Sequence, residues 1–215
     1  REPDNDETII PCRSGSTLPV ITASVAEDKD FSNPWLFSTL FDNHSQGAFI
    51  ASYMLKIMKY TKVSIIYSDD AYGKSLLEEF SLPYKAMGGK INNAWLVNSK
   101  VDFEQTIIDI TQDLLSDKAD PSVIFIATQA KEAAEIVVAL KRRGLENKIF
   151  GPQSLTDNAF TKVLSKYPEN KINLGYFSDG IMATSPLIYD VASREAQMFK
   201  NNFITKFNRS PSWVE

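Results

Sequence analysis

Hydrophobic positions fall into two alternating rhythms along this chain, and the rhythm changes wherever glycines or polar clusters intervene. From Lys62 to Tyr67, Val63, Ile65 and Ile66 form one short apolar run, the pattern of a parallel strand covered on both faces. From 74 to 87, Leu76, Leu77, Phe80, Tyr84 and Met87 recur at helical spacing. Gly88 is the expected left-handed stop, and Ile91, Trp95 and Val97 then take odd positions of a strand over 90–97. Pro83 lies inside the helical stretch, where a proline costs about 3 kcal/mol, so it predicts a kink or restart at 82–83. Residues 62–91 thus read as one complete βαβ step.

The same alternation runs on both sides of it. Short strands are expected at 18–24 and 35–41, with Pro19 at a strand start. Asn43 and Gln46 have the spacing of a capping box, and Ile50, Met54, Ile57 and Met58 form the stripe of the helix that follows. Asp102 and Gln105 repeat the capping spacing before the stripe Phe103, Ile107, Ile110 and Leu114. Ser122 to Ala127 is the strongest central-strand candidate. The helix over 130–143 buries Ala133, Ile136, Val137 and Leu140 and ends in Lys141-Arg142-Arg143, which complements the negative end of a helix dipole, and Gly144. A strand is expected at 148–151, then a short helix to Lys166 capped by Thr156 or Asp157. The pattern predicts a strand over 172–177, a loop over 178–186, and a last helix at about 192–207 with Ala192, Ala196, Phe199, Phe203 and Phe207 in one stripe. Strand–helix alternation of this kind implies right-handed crossovers and a parallel sheet, hence an α/β fold with a doubly wound lobe over 43–177.

Composition narrows the function more than the fold. The 215 residues suffice for one good core or two small lobes. Net charge is −4 and no basic stripe occurs, which argues against nucleic acid as a partner. No apolar run approaches the ~20 residues of a membrane span, and no secretory signal opens the chain. The beginning at REPDNDET and the end at PSWVE suggest an excised or mature fragment. The single cysteine, Cys12, excludes an intrachain disulfide and cysteine-based zinc or redox sites. Dinucleotide, P-loop, HExxH and GxSxG motifs are all missing. The one histidine, His44, has no nucleophile placed beside it, and Asp69-Asp70 are turn and cap formers rather than metal ligands. No catalytic residue, metal or cofactor is expected.

What remains is a binding architecture. In an open α/β sheet, ligands collect beyond the carboxyl ends of the strands. Ser24, Ser68 to Tyr72, Thr128-Gln129 and Gln153-Ser154 fall there, a mix of hydroxyls, amides, one aromatic ring and helix N-termini suited to a small polar ligand.

Several stretches carry a resemblance. LPVITASVA, FSTLFDNHSQGAFIASYML and KVSIIYSDDAYGKSLLEEF…MGGKI are similar to the type I periplasmic binding proteins, in the branch of leucine/isoleucine/valine-binding proteins and related receptor ligand-binding regions. DFEQTIIDI, SVIFIATQAKEAAEIVVALKRRGL, IFGPQS and FITKFNRSPS continue it, so that it covers nearly the whole chain from Leu18. The resemblance implies two lobes that close on a solute, a periplasmic or extracellular location, and an ABC permease or a membrane-bound signalling domain as partner. It implies a lobe 2 over 43–185, with 1–42 and 186–215 as parts of lobe 1 and the first crossover near Phe41-Asp42. By the same resemblance Ser24 and Ala26 match the loop that binds a ligand carboxylate, though the family usually has a hydroxyl where Ala26 stands. Tyr72 matches an aromatic that packs on the ligand, and Gln129 stands where an aromatic often does. Gln153 stands where amino-acid binders place a carboxylate, and a neutral amide lacks that charge-assisted pairing. The ligand class implied is an amino acid or a related amide or carboxylate. A cytosolic repressor core of the LacI type shares the fold but predicts a basic helix-turn-helix segment; an α/β enzyme needs a catalytic constellation.

Overall fold

The computed structural model describes residues 20–22, 35–38, 42–98, 101–116, 123–185 and 192–211. Cys12, Ser24, Ala26 and Phe41 lie outside the described residues. Two short strands, β1 (Val20–Thr22) and β2 (Leu36–Ser38), pair in parallel.

Five further strands form the main sheet: β3 (Lys62–Ser68), β4 (Lys90–Val97), β5 (Val123–Ala127), β6 (Ile149–Gly151) and β7 (Met182–Ala183). Their order is β4-β3-β5-β6-β7, and every pairing is parallel. β5 is central and all five of its residues are buried. Its side chains alternate between two cores. Val123, Phe125 and Ala127 join the cluster beneath α1 (Asn43–Ser52) and α2 (Ala71–Ala86). Ile124 and Ile126 join the cluster beneath α3 (Phe103–Ser116) and α4 (Ala130–Arg142). Cover on both faces is why the strand reads as a continuous apolar run rather than as an alternating one.

α1 and α2 meet at Gly47. A β-carbon there would lie 2.6 Å from the Glu79 carbonyl carbon and 2.8 Å from the Phe80 nitrogen, so the close helix contact requires glycine. α1 widens into a π-helical turn, Tyr53–Ile57, before the chain enters β3. α2 runs unbroken through Pro83, against the expectation of a restart. Packing explains this. Leu76, Phe80 and Tyr84 are fully buried, and the Phe80 ring stacks on Tyr84 at 5.0 Å and on Phe125 at 4.5 Å. Burial of such side chains contributes about 1.5–3 kcal/mol apiece, enough to outweigh the lost backbone bond.

Three expectations give way. The first-turn cap of α1 is Asp42, whose carboxylate accepts the Ser45 N–H at 2.6 Å, so Asn43 is already helical. Asp102 takes φ +51° and its carbonyl accepts both the N–H and the hydroxyl of Thr106. The strand expected over 172–177 is not formed. Residues 168–172 make a one-turn helix that begins at Pro168, turns follow to 180, and the strand falls at 182–183, inside the expected loop. Ile172 and Leu174 are 89% and 84% exposed. Only Phe177 of that stretch is buried, against Tyr167. The apolar spacing there mimicked a strand without having a sheet face to fill.

The last helix, Arg194–Phe207, is capped by Ser193 and buries none of its residues against the described parts of the chain. Its aromatic stripe packs within itself, Phe203 lying 5.8 Å from Phe199 and 4.5 Å from Phe207.

Candidate functional site

The strand order locates the site before any side chain is considered. From β3 the chain steps outward to β4, then returns across β3 to β5 on its other side. The connections after β3 and β5 therefore leave in opposite directions, and α2 and α4 start on opposite faces. A crevice opens between such strands at their carboxyl ends. α1 runs toward β3, so its first turn also lies at this edge.

After β3, Ser68 and Asp70 build the entry to α2. One Asp70 oxygen accepts the Ser68 hydroxyl and the Gly73 N–H, each at 2.7 Å. α2 therefore begins at Ala71, three residues earlier than the pattern predicts, and Tyr72 belongs to its first turn. A β-carbon on Gly73 would lie 2.4 Å from Ser68 Oγ and 2.6 Å from its carbonyl oxygen. Glycine is thus demanded by the tightness of this turn. Asp69 is paired with Lys74 at 2.6 Å.

After β5, Thr128 is buried, whereas Gln129 is exposed at the N-cap of α4 and makes no side-chain cap bond. After β6, Gln153 and Ser154 open a short 3₁₀ turn and are both buried. Ser154 Oγ donates to the Thr128 carbonyl at 2.8 Å, which ties the ends of β5 and β6 together. Tyr72 reaches the same place. Its hydroxyl lies against Ser154 but has no partner at hydrogen-bonding geometry, and burial pushes its pKa up to about 12.

Gln46 forms the floor of this edge. It is fully buried, and its Oε1 accepts the Gln153 N–H at 3.0 Å and the Thr184 hydroxyl at 3.4 Å. The sequence pattern assigns Gln46 to a capping box, and the structure corrects that: the side chain points to β6 and β7. A signal for this was present, because Gln46, Ile50 and Met54 are spaced four apart on the buried stripe. Asn43, 5% exposed, donates from Nδ2 to Ser75 Oγ at 3.3 Å. Thr184 is a further member that sequence reasoning left in a loop.

The structure thus brings Tyr72, Gln129 and Gln153 to one edge and adds Gln46, Asn43, Ser154 and Thr184. Three buried side-chain atoms here lack partners: Asn43 Oδ1, Tyr72 Oη and Gln153 Oε1. Each such atom costs about 1–3 kcal/mol. Among the described residues no group of three or more His, Cys, Asp or Glu could hold a metal, and no helix is long and apolar enough to cross a membrane.

Known structures share this fold. A putative branched-chain amino acid ABC transporter protein from Rhodospirillum rubrum matches with TM-score 0.71 at 20% identity, over 91% of this chain and 52% of that one. The leucine binding protein LivK from Thermotoga maritima matches with TM-score 0.70 at 15% identity, over 91% and 52%. A solute binding protein of an ABC transporter from Rhodopseudomonas palustris, solved with 3,4-dihydroxybenzoic acid, matches with TM-score 0.68 at 19% identity, over 91% and 51%. The chain therefore spans about half the length of these structures. No curated protein matches the sequence. The family model described as periplasmic binding protein, however, matches residues 10–214, so the switch-point edge sits in a chain that belongs to the periplasmic binding protein family.

Proposed function

We propose that this chain is a ligand-binding part of an extracytoplasmic solute-binding protein that traps a small polar solute between two lobes. The carrying observation is the buried polar cluster at the switch point, where Tyr72 Oη and Gln153 Oε1 have no partner. Buried polar atoms are ordinarily paired; of five exceptions among the described residues, three belong to this edge and two, on Asn92 and Asn170, lie elsewhere, and the three together support a place where a ligand completes the bonding. In this proposal residues 43–185 form lobe 2, and 1–42 with 186–215 contribute to lobe 1. Tyr72, Gln129 and Gln153 make the lobe 2 wall, and Ser24 and Ala26 are assigned to the ligand by the family resemblance alone.

The cycle involves no chemistry. A solute enters the open cleft and meets the wall of Tyr72 and Gln153, and closure is favoured by whatever extra contacts the closed form makes. Such a protein passes its solute to an ABC permease or reports it to a membrane-bound output domain.

A thermal-shift screen of amino acids, carboxylates and amides tests the proposal, followed by calorimetry on the best hit. Tyr72→Ala and Gln153→Ala are expected to weaken that hit at least about tenfold, the loss of a buried hydrogen bond or two. Unchanged affinity in both variants would remove the site assignment.

A further inference from the structure

The turn found in place of a strand at 172–177 leaves apolar side chains where no need of the fold puts them. Ile172 and Leu174 are 89% and 84% exposed, and Tyr176 is half exposed. The backbone that carries them is well built. Phe177 is fully buried and meets the Tyr167 and Tyr176 rings edge-on, at 5.8 and 4.9 Å between centroids. The Tyr176 N–H donates to the Asn173 carbonyl at 3.0 Å, and the Ser178 and Asp179 N–H groups donate to the Gly175 carbonyl at 2.9 and 2.8 Å. Gly175 takes φ +89°, which favours glycine. An ordered turn that holds two aliphatic side chains in water forfeits their burial, and exposed apolar groups rimmed by polar ones mark an interaction site.

The charges around this knob are mainly of one sign. Residues 141–181 hold seven Lys or Arg and four Asp or Glu, although the whole chain has 23 and 27. Arg142 and Arg143 are engaged with Glu169 and Glu104. Lys166 and Lys171 flank the one-turn helix at Pro168, and Lys148 lines the same hollow as Tyr176. All three are exposed, and none is paired with an acid among the described residues. Of the acids nearby, Glu169 is held by Arg142, Asp179 packs against Gly175, and Glu146 is exposed in the hollow. Helix dipoles account for cations at the end of α4. They do not account for Ile172 and Leu174.

The occupant must suit both a small apolar tip and loose lysines. Three side chains are a minor part of the ~800 Å² per partner that a stable protein interface buries. A second copy meeting this face by two-fold symmetry would set lysine against lysine. A bilayer with anionic headgroups suits both features. Its phosphates pair with ammonium groups, its interface takes aliphatic tips, and a tyrosine ring sits at headgroup level. Flexible lysine stems keep the charges at the phosphates while the tips go deeper. We infer that the 166–176 knob docks this protein peripherally on an anionic lipid surface, with Ile172 and Leu174 inserted and Lys148, Lys166 and Lys171 on the headgroups. The knob lies at the opposite edge of the sheet from the solute wall, so this contact does not depend on the solute-binding proposal.

Cosedimentation of the full chain with sucrose-loaded vesicles tests it. Binding is expected to vesicles of equal parts phosphatidylcholine and phosphatidylglycerol, to weaken in raised salt, and to be at least about tenfold weaker on phosphatidylcholine alone. Ile172→Ser with Leu174→Ser should lose at least about tenfold in binding to the mixed vesicles. Lys166→Gln with Lys171→Gln should lose about as much and flatten the salt dependence. All four side chains are exposed, so thermal unfolding should be unchanged in both variants. No binding to the mixed vesicles, equal binding to phosphatidylcholine, or undiminished binding by either double variant overturns the inference. A concentration-dependent dimer that Ile172→Ser with Leu174→Ser abolishes, without vesicle binding, overturns it too and gives the knob to a second copy.

Discussion

The two edges of the main sheet solve the same helix-end problem in opposite ways. At the amino-terminal edge, α4 ends in three basic residues and each has found a partner. Lys141 donates to the Asp179 carbonyl at 3.1 Å, and burial draws its pKa down. Arg142 grips Glu169 with two bonds, at 2.8 and 2.9 Å, and lies over the Tyr167 ring at 4.9 Å. Arg143 reaches Glu104 at 3.0 Å. A pocket of about 290 Å³ opens between this helix end and the turn carrying Tyr176, Asp179 and Ile181, and none of its lining residues has a buried side-chain atom left unpaired. The carboxyl-terminal edge has the reverse character. Its buried side chains Gln46, Gln153 and Ser154 are neutral, and three side-chain atoms, on Asn43, Tyr72 and Gln153, are left over. The amino-terminal edge is not wholly paired, since Asn170 Oδ1 beside Glu169 also lacks a partner, but the charges at the end of α4 are matched, and matched charge there serves stability. This hollow is therefore not where binding is expected.

The comparison can be broken or sharpened by mutation. The largest effect is expected at Gly73, where a β-carbon has nowhere to go. Gly73→Ala should lower unfolding free energy by about 2–3 kcal/mol, because the backbone of Ser68 cannot retreat without loosening the Asp70 cap. Urea denaturation measures it, and a change below about 0.5 kcal/mol would show the turn to be pliable.

Gln46→Leu comes next. It leaves the Gln153 N–H buried and unpaired, and should cost about 2 kcal/mol. Amide exchange at Gln153 should accelerate more than exchange in the central strand β5; uniform acceleration would mean that Gln46 has no special hold on this loop.

Tyr72→Phe acts in the other direction. It removes a buried hydroxyl without a partner, so the variant should be more stable by up to about 1 kcal/mol while binding its solute less well. It also bears on pH. Tyr72 and Tyr84 are both raised to about 12 by burial, above their ordinary value of 10. Between those values the unfolded chain releases these protons and the folded chain keeps them. Stability is therefore intact below pH 10 and falls as pH rises toward 12. Tyr72→Phe should make that fall shallower, and an identical pH profile would place the Tyr72 hydroxyl in solvent.

The smallest effect belongs to the amino-terminal edge. Arg142→Ala loses an exposed ion pair, so its destabilisation should be slight and should vanish in high salt, with solute affinity untouched. A drop in affinity comparable to that of Gln153→Ala would dissolve the distinction between the two edges.

Much of this fold was legible in the chain. β3, α2, β4, β5 and α4 fall within a few residues of where hydrophobic spacing puts them, because each buries a regular stripe and is closed by a recognisable cap or glycine. The miss at 172–177 has the same origin: periodicity reports which residues are apolar, not whether a sheet edge is there to receive them. The site divides similarly. Ser68, Tyr72, Thr128, Gln129, Gln153 and Ser154 stand out because strand ends can be placed from pattern alone. Gln46 and Thr184 do not, since Gln46 lies 107 positions from Gln153 and 138 from Thr184 along the chain.

The sequence by itself determined the alternation of strands and helices, the two-sided burial of β5, and the want of charge at Gln153. Those properties are local, set by spacing and by side-chain chemistry. Only the tertiary structure decided that β5 lies beside β3 and not beside β4, which is what creates the switch point. It alone turned Gln46 from a cap into a floor, carried α2 through Pro83, and left Tyr72 and Gln153 with unpaired atoms. Each of these depends on which long-range contacts outweigh local preference, and that balance is struck only when the whole sheet is assembled.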